Sequence, residues 1–156
     1  MCTDGGVTEI FIYHLQRQPL EAVLPRLLAL SLERGWRALV KASSAERLAA
    51  LDDHLWSFSD ESFLPHGTDR EPDPHEQPVL LTLADANANG ARILFLTDGA
   101  AMPAELADFE RVALLLDGRD EEAVASARVT WRTMGAAGHP VSYWKQDEEG
   151  RWRKGG

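Results

Sequence analysis

The segment RILFLTD, residues 92–98, is a short apolar run that ends in a threonine and an aspartate. Its apolar residues are continuous rather than alternating, which is typical of a parallel strand covered by helices on both faces. Comparable runs recur along the chain as IFIYHL (10–15), ALVKA (38–42), VLLTL (79–83), VALLL (112–116) and VSYW (141–144). These segments predict strands that are mostly buried on both faces.

Helical patterns fall between the predicted strands, at residues 20–34, 44–56, 103–109 and about 120–136. Gly35 and Asp120 are suited to end the first helix and to begin the last, and Pro25 should kink or delay the first turns of the first helix. Ser43 and Glu46 have capping-box spacing at the start of the second helix. This alternation predicts an α/β fold, a single three-layer domain with a mostly parallel sheet.

Length and composition agree with one domain. The chain has 156 residues, of which 44% are hydrophobic, and this is enough for one compact core. We expect the domain to occupy residues 1–146 and a polar tail, residues 147–156, to fray. Residues 66–78 are rich in charges and prolines, and we interpret them as an exposed loop within the domain.

Charge and cysteine content narrow the classes of function. Lys and Arg number 16 against 25 Asp and Glu, and the net charge of −9 disfavours broad nucleic-acid binding. Cys2 is the only cysteine, so neither an intrachain disulfide nor a Cys-based zinc site can form, as is typical of a reducing cytosol. The first residues, MCTDGGVTEI, have no basic region followed by a long apolar run. We expect a cytoplasmic protein that does not enter the membrane.

The predicted sheet directs attention to the carboxyl ends of its strands, where α/β folds usually bind ligands. No phosphate-binding motif of the form G-x-x-x-x-G-K-[ST] or G-x-G-x-x-G follows a strand. Asp98 and Asp117 resemble the strand-end acids that hold Mg²⁺ in P-loop enzymes, but without a phosphate loop we interpret both as turn-capping residues. A small Mg²⁺-dependent phosphoryl-transfer enzyme stays open as an alternative if the two acids converge on one cleft.

Other catalytic and metal-binding patterns are equally weak. The motif G-x-S-x-G is absent, and paired carboxylates occur in polar runs rather than in apolar clefts. His66 and His75 share a loop with acidic residues, but their spacing matches no known ligand set, which favours a solvated loop. We therefore predict no catalytic residue, no metal site and no cofactor.

The last predicted helix combines an apolar stripe with a charged edge. At 100° per residue, one face carries Val124, Ala127, Trp131 and Met134. Arg128 and Arg132 lie about 40° and 80° round the helix from Val124, along one edge of this stripe. Such a surface suits an acidic peptide with a hydrophobic residue, and arginine can bind a terminal carboxylate with two hydrogen bonds. The alternative is a core role for Trp131 with two solvated arginines.

Three aromatic residues cluster where the second helix is predicted to end: Trp56, Phe58 and Phe63. One aromatic ring buries about 150–250 Å², so each ring should pack against this chain or against a partner. The cluster is therefore either part of the core or a protruding interface anchor.

Taken together, these motifs resemble the chi subunit family of the bacterial DNA polymerase III holoenzyme, an accessory family of the clamp loader. The resemblance is carried by FIYHL (11–15), LVKASSAERLAALDDHLW (39–56), SFLPHG (62–67) and AAGHPVSYW (136–144). Its specific element is L-D-x-x-L-W followed shortly by S-F-x-P-H. The family implies a non-enzymatic protein whose fold is similar to a nucleotide-binding or helicase domain without a nucleotide site.

The resemblance also implies partners and their contact residues. Chi-family proteins join the clamp loader, through the psi subunit, to the acidic C-terminal tail of single-stranded DNA-binding protein. The family contacts with psi fall on Trp56, Phe63 and Pro65, a surface that a helicase could also use. The tail pocket of the family falls on the last helix, at Val124, Arg128, Trp131 and Arg132. Val124 replaces a family lysine, which makes the pocket less basic.

A further alternative is direct binding of single-stranded DNA by the basic and aromatic end of the chain. This end carries Arg151, Trp152, Arg153 and Lys154. Basic residues next to an aromatic ring can contact phosphates while bases stack on the ring.

Overall fold

The computed structural model describes residues 8–16, 18–57, 66–68, 73–103, 106, 108–149 and 151–155, with the backbone alone for residues 56 and 57. Its helices are α1 (Leu20–Glu33), α2 (Ala45–Ser57) and α3 (Glu121–Ala136), with a 3-10 turn at Pro74–Glu76. Its strands are β1 (Glu9–Leu15), β2 (Ala38–Lys41), β3 (Gly67–Thr68), β4 (Val79–Thr82), β5 (Ile93–Leu96), β6 (Arg111–Asp117), β7 (Val141–Gln146) and β8 (Trp152–Gly155).

All of these strands form one sheet in the order β3-β4-β2-β5-β6-β1-β7-β8. Neighbouring strands are parallel except β7 and β8, which are antiparallel. The segments predicted as strands from their continuous apolar runs are all present. The prediction of a mostly parallel α/β sheet is therefore confirmed.

The sheet buries apolar side chains on both faces, as the continuous runs predict. On one face, α1 and α2 pack through Leu24, Leu28 and Leu51. On the other face, α3 packs through Ala127, whose exposed fraction is 1%. Strand β5 is buried along its whole length: Phe95 belongs to the cluster on the face of α1 and α2, and Leu94 and Leu96 belong to the cluster on the α3 face. These layers confirm the predicted three-layer arrangement.

The helix ends follow the chemistry of their terminal residues. Gly35, with φ +82°, directly follows the C-cap of α1, and the Asp120 carboxylate caps α3 by accepting from the backbone N–H groups of Glu122 and Ala123. Helix α2 is capped by the hydroxyl of Ser44, which accepts from the N–H of Arg47 at 3.2 Å. The prediction of a cap one residue earlier was therefore wrong.

Helix α1 continues through Pro25 because a side chain replaces the donor that proline lacks. A proline nitrogen cannot donate to the carbonyl four residues earlier, which here is that of Glu21. The Nε2 of His54 in α2 lies 2.6 Å from this carbonyl oxygen, which can only accept a hydrogen bond. The contact between α1 and α2 thus compensates for the break that Pro25 would cause.

The helix predicted at residues 103–109 is wrong for the part of this segment that the structure describes. Pro103, Leu106, Asp108 and Phe109 have no helical conformation. Leu106 and Phe109 are buried against the α3 face of the sheet. The hydroxyl of Thr8 lies 2.9 Å from both of their carbonyl oxygens and can share its one proton between them, and the Leu106 oxygen also accepts from the N–H of Phe109 at 3.0 Å.

The exposed loop predicted for residues 66–78 is wrong for its first residues. His66, Gly67 and Thr68 are buried, and β3 pairs in parallel with β4. A two-residue strand has too little pattern to be read from sequence. By pairing with β4, it covers backbone groups that would otherwise lie at the edge of the sheet.

The C-terminal residues also form a strand where a frayed tail was predicted. The carboxylate of Asp147 accepts from the N–H of Arg151 at 2.9 Å, and β8 then pairs with β7. The ring of Trp152 packs edge-on against Tyr13, with centroids 5.0 Å apart. Because this aromatic contact and hairpin hold the strand, residues 152–155 extend the sheet.

Of the helices that the structure describes, none combines the length and the apolar character that crossing a bilayer requires.

Candidate functional site

A groove of about 460 Å³ lies between α3 and the strands β1, β7 and β8. It is lined by His14, Val124, Arg128, Trp131, Arg132, Tyr143, Lys145 and Gly155. The four helix residues predicted for a peptide pocket thus line one groove. The opposite wall comes from strands that the sequence could not assign to this place.

Helix α3 forms one wall of the groove because its apolar stripe is only partly buried in the core. Ala127 is buried, whereas Val124, Trp131 and Met134 are partly buried against the core cluster. The indole of Trp131 packs against the ring of Tyr143, with centroids 5.8 Å apart and planes inclined by 46°. The half-buried indole is therefore held in position and still offers apolar surface to a ligand.

Three cations surround this apolar surface. Arg128, Arg132 and Lys145 are exposed, and within the described part of the chain none of them forms an ion pair. By contrast, Arg47 and Arg111 bind carboxylates of neighbouring elements. In a chain with a net charge of −9, the groove is a local concentration of positive charge that can attract an anion.

The floor of the groove is a hydrogen-bonded pair of uncharged rings. The Nδ1 of His14 lies 2.6 Å from the hydroxyl of Tyr143. Burial lowers the pKa of His14 from 6.5, and the positive charge of Lys145 lowers it further. Burial raises the pKa of Tyr143 from 10.0 against an opposing effect of Arg128. At neutral pH both rings are therefore neutral, and the charges stand on the walls.

Gly118 makes room for this floor. A Cβ at this position would lie 2.1 Å from the Nε2 of His14. A larger residue would therefore displace the imidazole from its place beside Tyr143.

The lowered pKa of His14 predicts how stability depends on pH. The unfolded chain binds the His14 proton more tightly than the folded chain, so this contribution to the free energy of unfolding is complete above pH 6.5. It is lost as pH falls below 6.5 towards the pKa of the folded state. An NMR titration of the His14 imidazole measures this directly. Replacing Lys145→Gln should raise the His14 pKa, whereas Lys154→Gln should leave it unchanged. A wild-type pKa at or above 6.5 would contradict the assignment.

A second cleft, of about 990 Å³, lies at the carboxyl ends of the strands. Asp98 and Asp117 both line it, but each carboxylate already has a guanidinium partner. Asp98 lies 2.8 Å from Arg47, and Asp117 lies 3.2 Å from Arg119. Hydrogen bonds from the backbone and side chain of Arg119 lower the pKa of Asp117. These pairs match the predicted structural role of both acids more closely than a metal site.

Within the described residues, the group of metal-type ligands whose atoms lie within 4.8 Å of one another is Asp73, His75 and Glu76. All three are exposed on the 3-10 turn. Neither Asp98 nor Asp117 belongs to this group. Among the residues that the structure describes, no cluster of metal-type ligands in the cleft supports the alternative of a magnesium enzyme.

The sequence model of the family described as "DNA polymerase III chi subunit, HolC" matches residues 7–142, which include most of the sheet and the whole of α3. The chain belongs to this DNA polymerase III chi subunit family. A curated relative from Rickettsia prowazekii (strain Madrid E), named "Probable DNA polymerase III subunit chi", is 26% identical over 85 residues. The match covers 54% of this chain and 52% of the relative, so the chain spans about half the length of the curated relative it matches. The family description names a subunit of DNA polymerase III.

The second group of predicted chi-family contact residues lies largely outside the described residues. Phe63 and Pro65 fall there, as does Phe58. Trp56 is the penultimate residue of α2, and its side chain is not described. His66, which follows this segment, is buried, and its Nε2 lies 3.2 Å from the carboxylate of Asp52 in α2.

The strand wall of the chi-family groove contains residues that the sequence analysis missed. Side chains alternate along a strand, and Ile12 and Tyr143 belong to the cluster on the α3 face, so His14 and Lys145 project to the same face. The pairing of β1 with β7 places His14 opposite Lys145. The alternation of Tyr143 and Lys145 in VSYWK was the available signal. Its use required the strand order, which the sequence alone does not give.

Proposed function

We propose that this chi-family protein is a non-catalytic adaptor of the bacterial replicase. Its groove binds the acidic C-terminal tail of single-stranded DNA-binding protein. Its second surface, formed by Trp56, Phe63 and Pro65, binds the psi subunit or another clamp-loader or helicase protein. The protein would act in the cytoplasm, contact nucleic acid only indirectly and need no cofactor.

The tail proposal rests on a set of cations that form no ion pair with any described residue and that surround a half-buried indole. Arg128 and Arg132 stand on the helix wall, beside the apolar surface of Val124 and Trp131. A free chain end offers a planar carboxylate, which a guanidinium group binds with two parallel hydrogen bonds. An apolar side chain next to that carboxylate can pack against the indole and lose its contact with water. An acidic chain end with an apolar residue therefore matches the groove in shape and charge.

The strength of the interaction should be modest. A disordered tail must lose conformational freedom when it docks, and this cost lowers the affinity for a given contact area. We expect a dissociation constant near the micromolar level, about −8 kcal/mol. Because the cations are exposed, added salt should screen them and weaken binding.

The test is a fluorescence anisotropy titration with a labelled peptide of the acidic tail of single-stranded DNA-binding protein from the same organism. The free-acid peptide should bind near the micromolar level and more weakly at higher ionic strength. A peptide with the same residues in scrambled order and an amidated end is the matched control. Equal binding of both peptides would show that the groove does not recognise an acidic chain end.

The direct DNA-binding alternative is less favoured by the contacts of the C-terminal strand. Arg151 and Arg153 both lie near the carboxylate of Asp147, at 3.9 and 2.9 Å. Trp152 packs on Tyr13 rather than standing free for a base. Only weak, salt-sensitive binding of an oligonucleotide is therefore expected from this end of the chain.

A further inference from the structure

Lys145 stands on the wall of the groove that faces the two arginines. It belongs to β7 and lines the groove together with its neighbour on the same face, Tyr143. Arg128 and Arg132 project from α3 on the other side. The apolar surface of Trp131 and Tyr143 therefore lies between cations that come from two different elements.

Among the described residues, the strand neighbours of Lys145 do not neutralise its charge. On β8, Arg153 is directly opposite Lys145, but the Asp147 carboxylate lies 2.9 Å from its Nε and offsets its charge. On β1, His14 is opposite Lys145, and its lowered pKa keeps it neutral at neutral pH. Within the part of the chain that the structure describes, Lys145 forms no ion pair. Lys145 is therefore a cation on the strand wall that an external anion can contact.

We propose that Lys145 binds a side-chain carboxylate of the docked segment, upstream of the chain end that Arg128 and Arg132 hold. This inference rests on the proposed tail binding. The assignment of roles follows from position: Arg128 and Arg132 lie on the helix wall, and Lys145 lies on the strand wall. A chain end held by the arginines, with its apolar residue between the walls, directs the residues before it towards Lys145. The apolar residue of the segment packs between the two walls, on the rings of Trp131 and Tyr143.

This arrangement sets a requirement on the ligand. A free chain end with an apolar residue can contact only the residues of the helix wall. A segment that also carries an acidic residue before the apolar residue crosses the groove and contacts the cations of both walls. Cations on both walls of the groove thus favour an acidic chain end over an uncharged one. Each exposed charge pair by itself contributes little to the binding free energy.

The contribution of Lys145 can be isolated with a double-mutant cycle. The labelled tail peptide is titrated against the wild type, Lys145→Gln and Lys145→Arg, with peptide variants in which one upstream acid at a time is replaced by its amide. Lys145→Gln should weaken binding about threefold to fivefold, as is typical of an exposed ion pair. This loss should vanish with the peptide that lacks the contacted acid, and Lys145→Arg should retain most of the affinity. Amidation of the peptide terminus should weaken the wild type and Lys145→Gln by the same factor.

Lys154→Gln is the matched control. Lys154 lies on the neighbouring strand opposite Trp144, so it projects to the other face of the sheet, and it does not line the groove. Equal effects of Lys145→Gln and Lys154→Gln would overturn the role of Lys145 and leave tail binding intact. A Lys145 effect that depends on the terminal carboxylate would overturn the assignment to an upstream acid. No binding by the wild type would overturn both proposals.

Discussion

Replacing both Arg128 and Arg132 with alanine is expected to weaken binding of the acidic tail peptide by at least about tenfold. A hydrogen bond to a charged group contributes about 1.5–3 kcal/mol, and a factor of ten corresponds to about 1.4 kcal/mol. Both side chains are exposed and have no ion pair among the described residues, so the midpoint of thermal unfolding should stay nearly unchanged. Anisotropy titration and thermal unfolding of the same samples measure both effects.

A charge-matched control separates the groove from the net charge. The variant Arg26→Ala/Lys154→Ala also removes two exposed cations, but neither residue lines the groove. It should bind the tail peptide almost as well as the wild type. Equal losses in the two double variants would mean that general attraction, rather than the groove, accounts for binding.

Replacing Trp56→Ala or Phe63→Ala is expected to abolish co-purification with the psi subunit or another clamp-loader protein. Aromatic anchors at the centre of an interface contribute about 2–4 kcal/mol or more, which is enough to lose a moderate complex during washing. Helix α2 packs on the core through Leu51 and Leu55, so this packing does not depend on the side chain at position 56. A pull-down from native extract with tagged wild type and variants measures the effect.

The control for this surface is Leu30→Ala in α1. Leu30 is an apolar side chain with an exposed fraction of 56%, and its loss should not affect capture of the partner. The Trp56 and Phe63 variants should also bind the tail peptide normally, because the groove lies on α3. A fall in thermal stability without loss of partner capture would favour a core role for these aromatics and would remove the proposed second surface.

The strands of the sheet could be predicted because their chemistry is local. A strand covered on both faces must be apolar at successive positions, and RILFL or VALLL shows this without knowledge of any neighbour. The cap of α3 was predictable for the same reason, since Asp120 and the N–H groups that donate hydrogen bonds to its carboxylate lie within one turn. Features that depend on a few adjacent residues were therefore accessible from sequence.

The edges of the sheet could not be predicted because they depend on distant partners. Strand β3 has two residues, and its pairing with β4 gives no periodic signal. The sequence of β8 has the pattern of a charged tail. Its only large apolar residue, Trp152, packs against Tyr13, which is near the other end of the chain. In both places the contact, rather than the local pattern, decides the conformation.

The groove illustrates the same division within one site. The helix wall was predictable because Val124, Trp131 and the two arginines share one helical face. The strand wall was not, because β7 enters the sheet beside β1, which precedes it by about 130 residues in the chain. Lys145 faces the arginines only through this long-range pairing. Sequence analysis therefore gave one half of the candidate site.

The acids in the cleft at the carboxyl ends of the strands bear on the proposal that the protein is not an enzyme. Nucleotide-binding α/β domains place phosphate-binding loops and metal-binding acids in this region. Here Arg47 bridges Asp98 and Glu21, at 2.8 and 3.3 Å, and ties α1 and α2 to the end of β5. Asp98 and Asp117 are thus structural partners of arginines, which agrees with the proposed role in protein binding.

The central claim is that the groove between α3 and β7 receives an acidic chain end. Its most direct test is a crystal structure of the protein with the tail peptide of single-stranded DNA-binding protein. We expect the terminal carboxylate to lie within hydrogen-bonding distance of Arg128 or Arg132 and an apolar side chain to pack against the indole of Trp131. A peptide bound elsewhere on the protein, with this groove open to solvent, would contradict it.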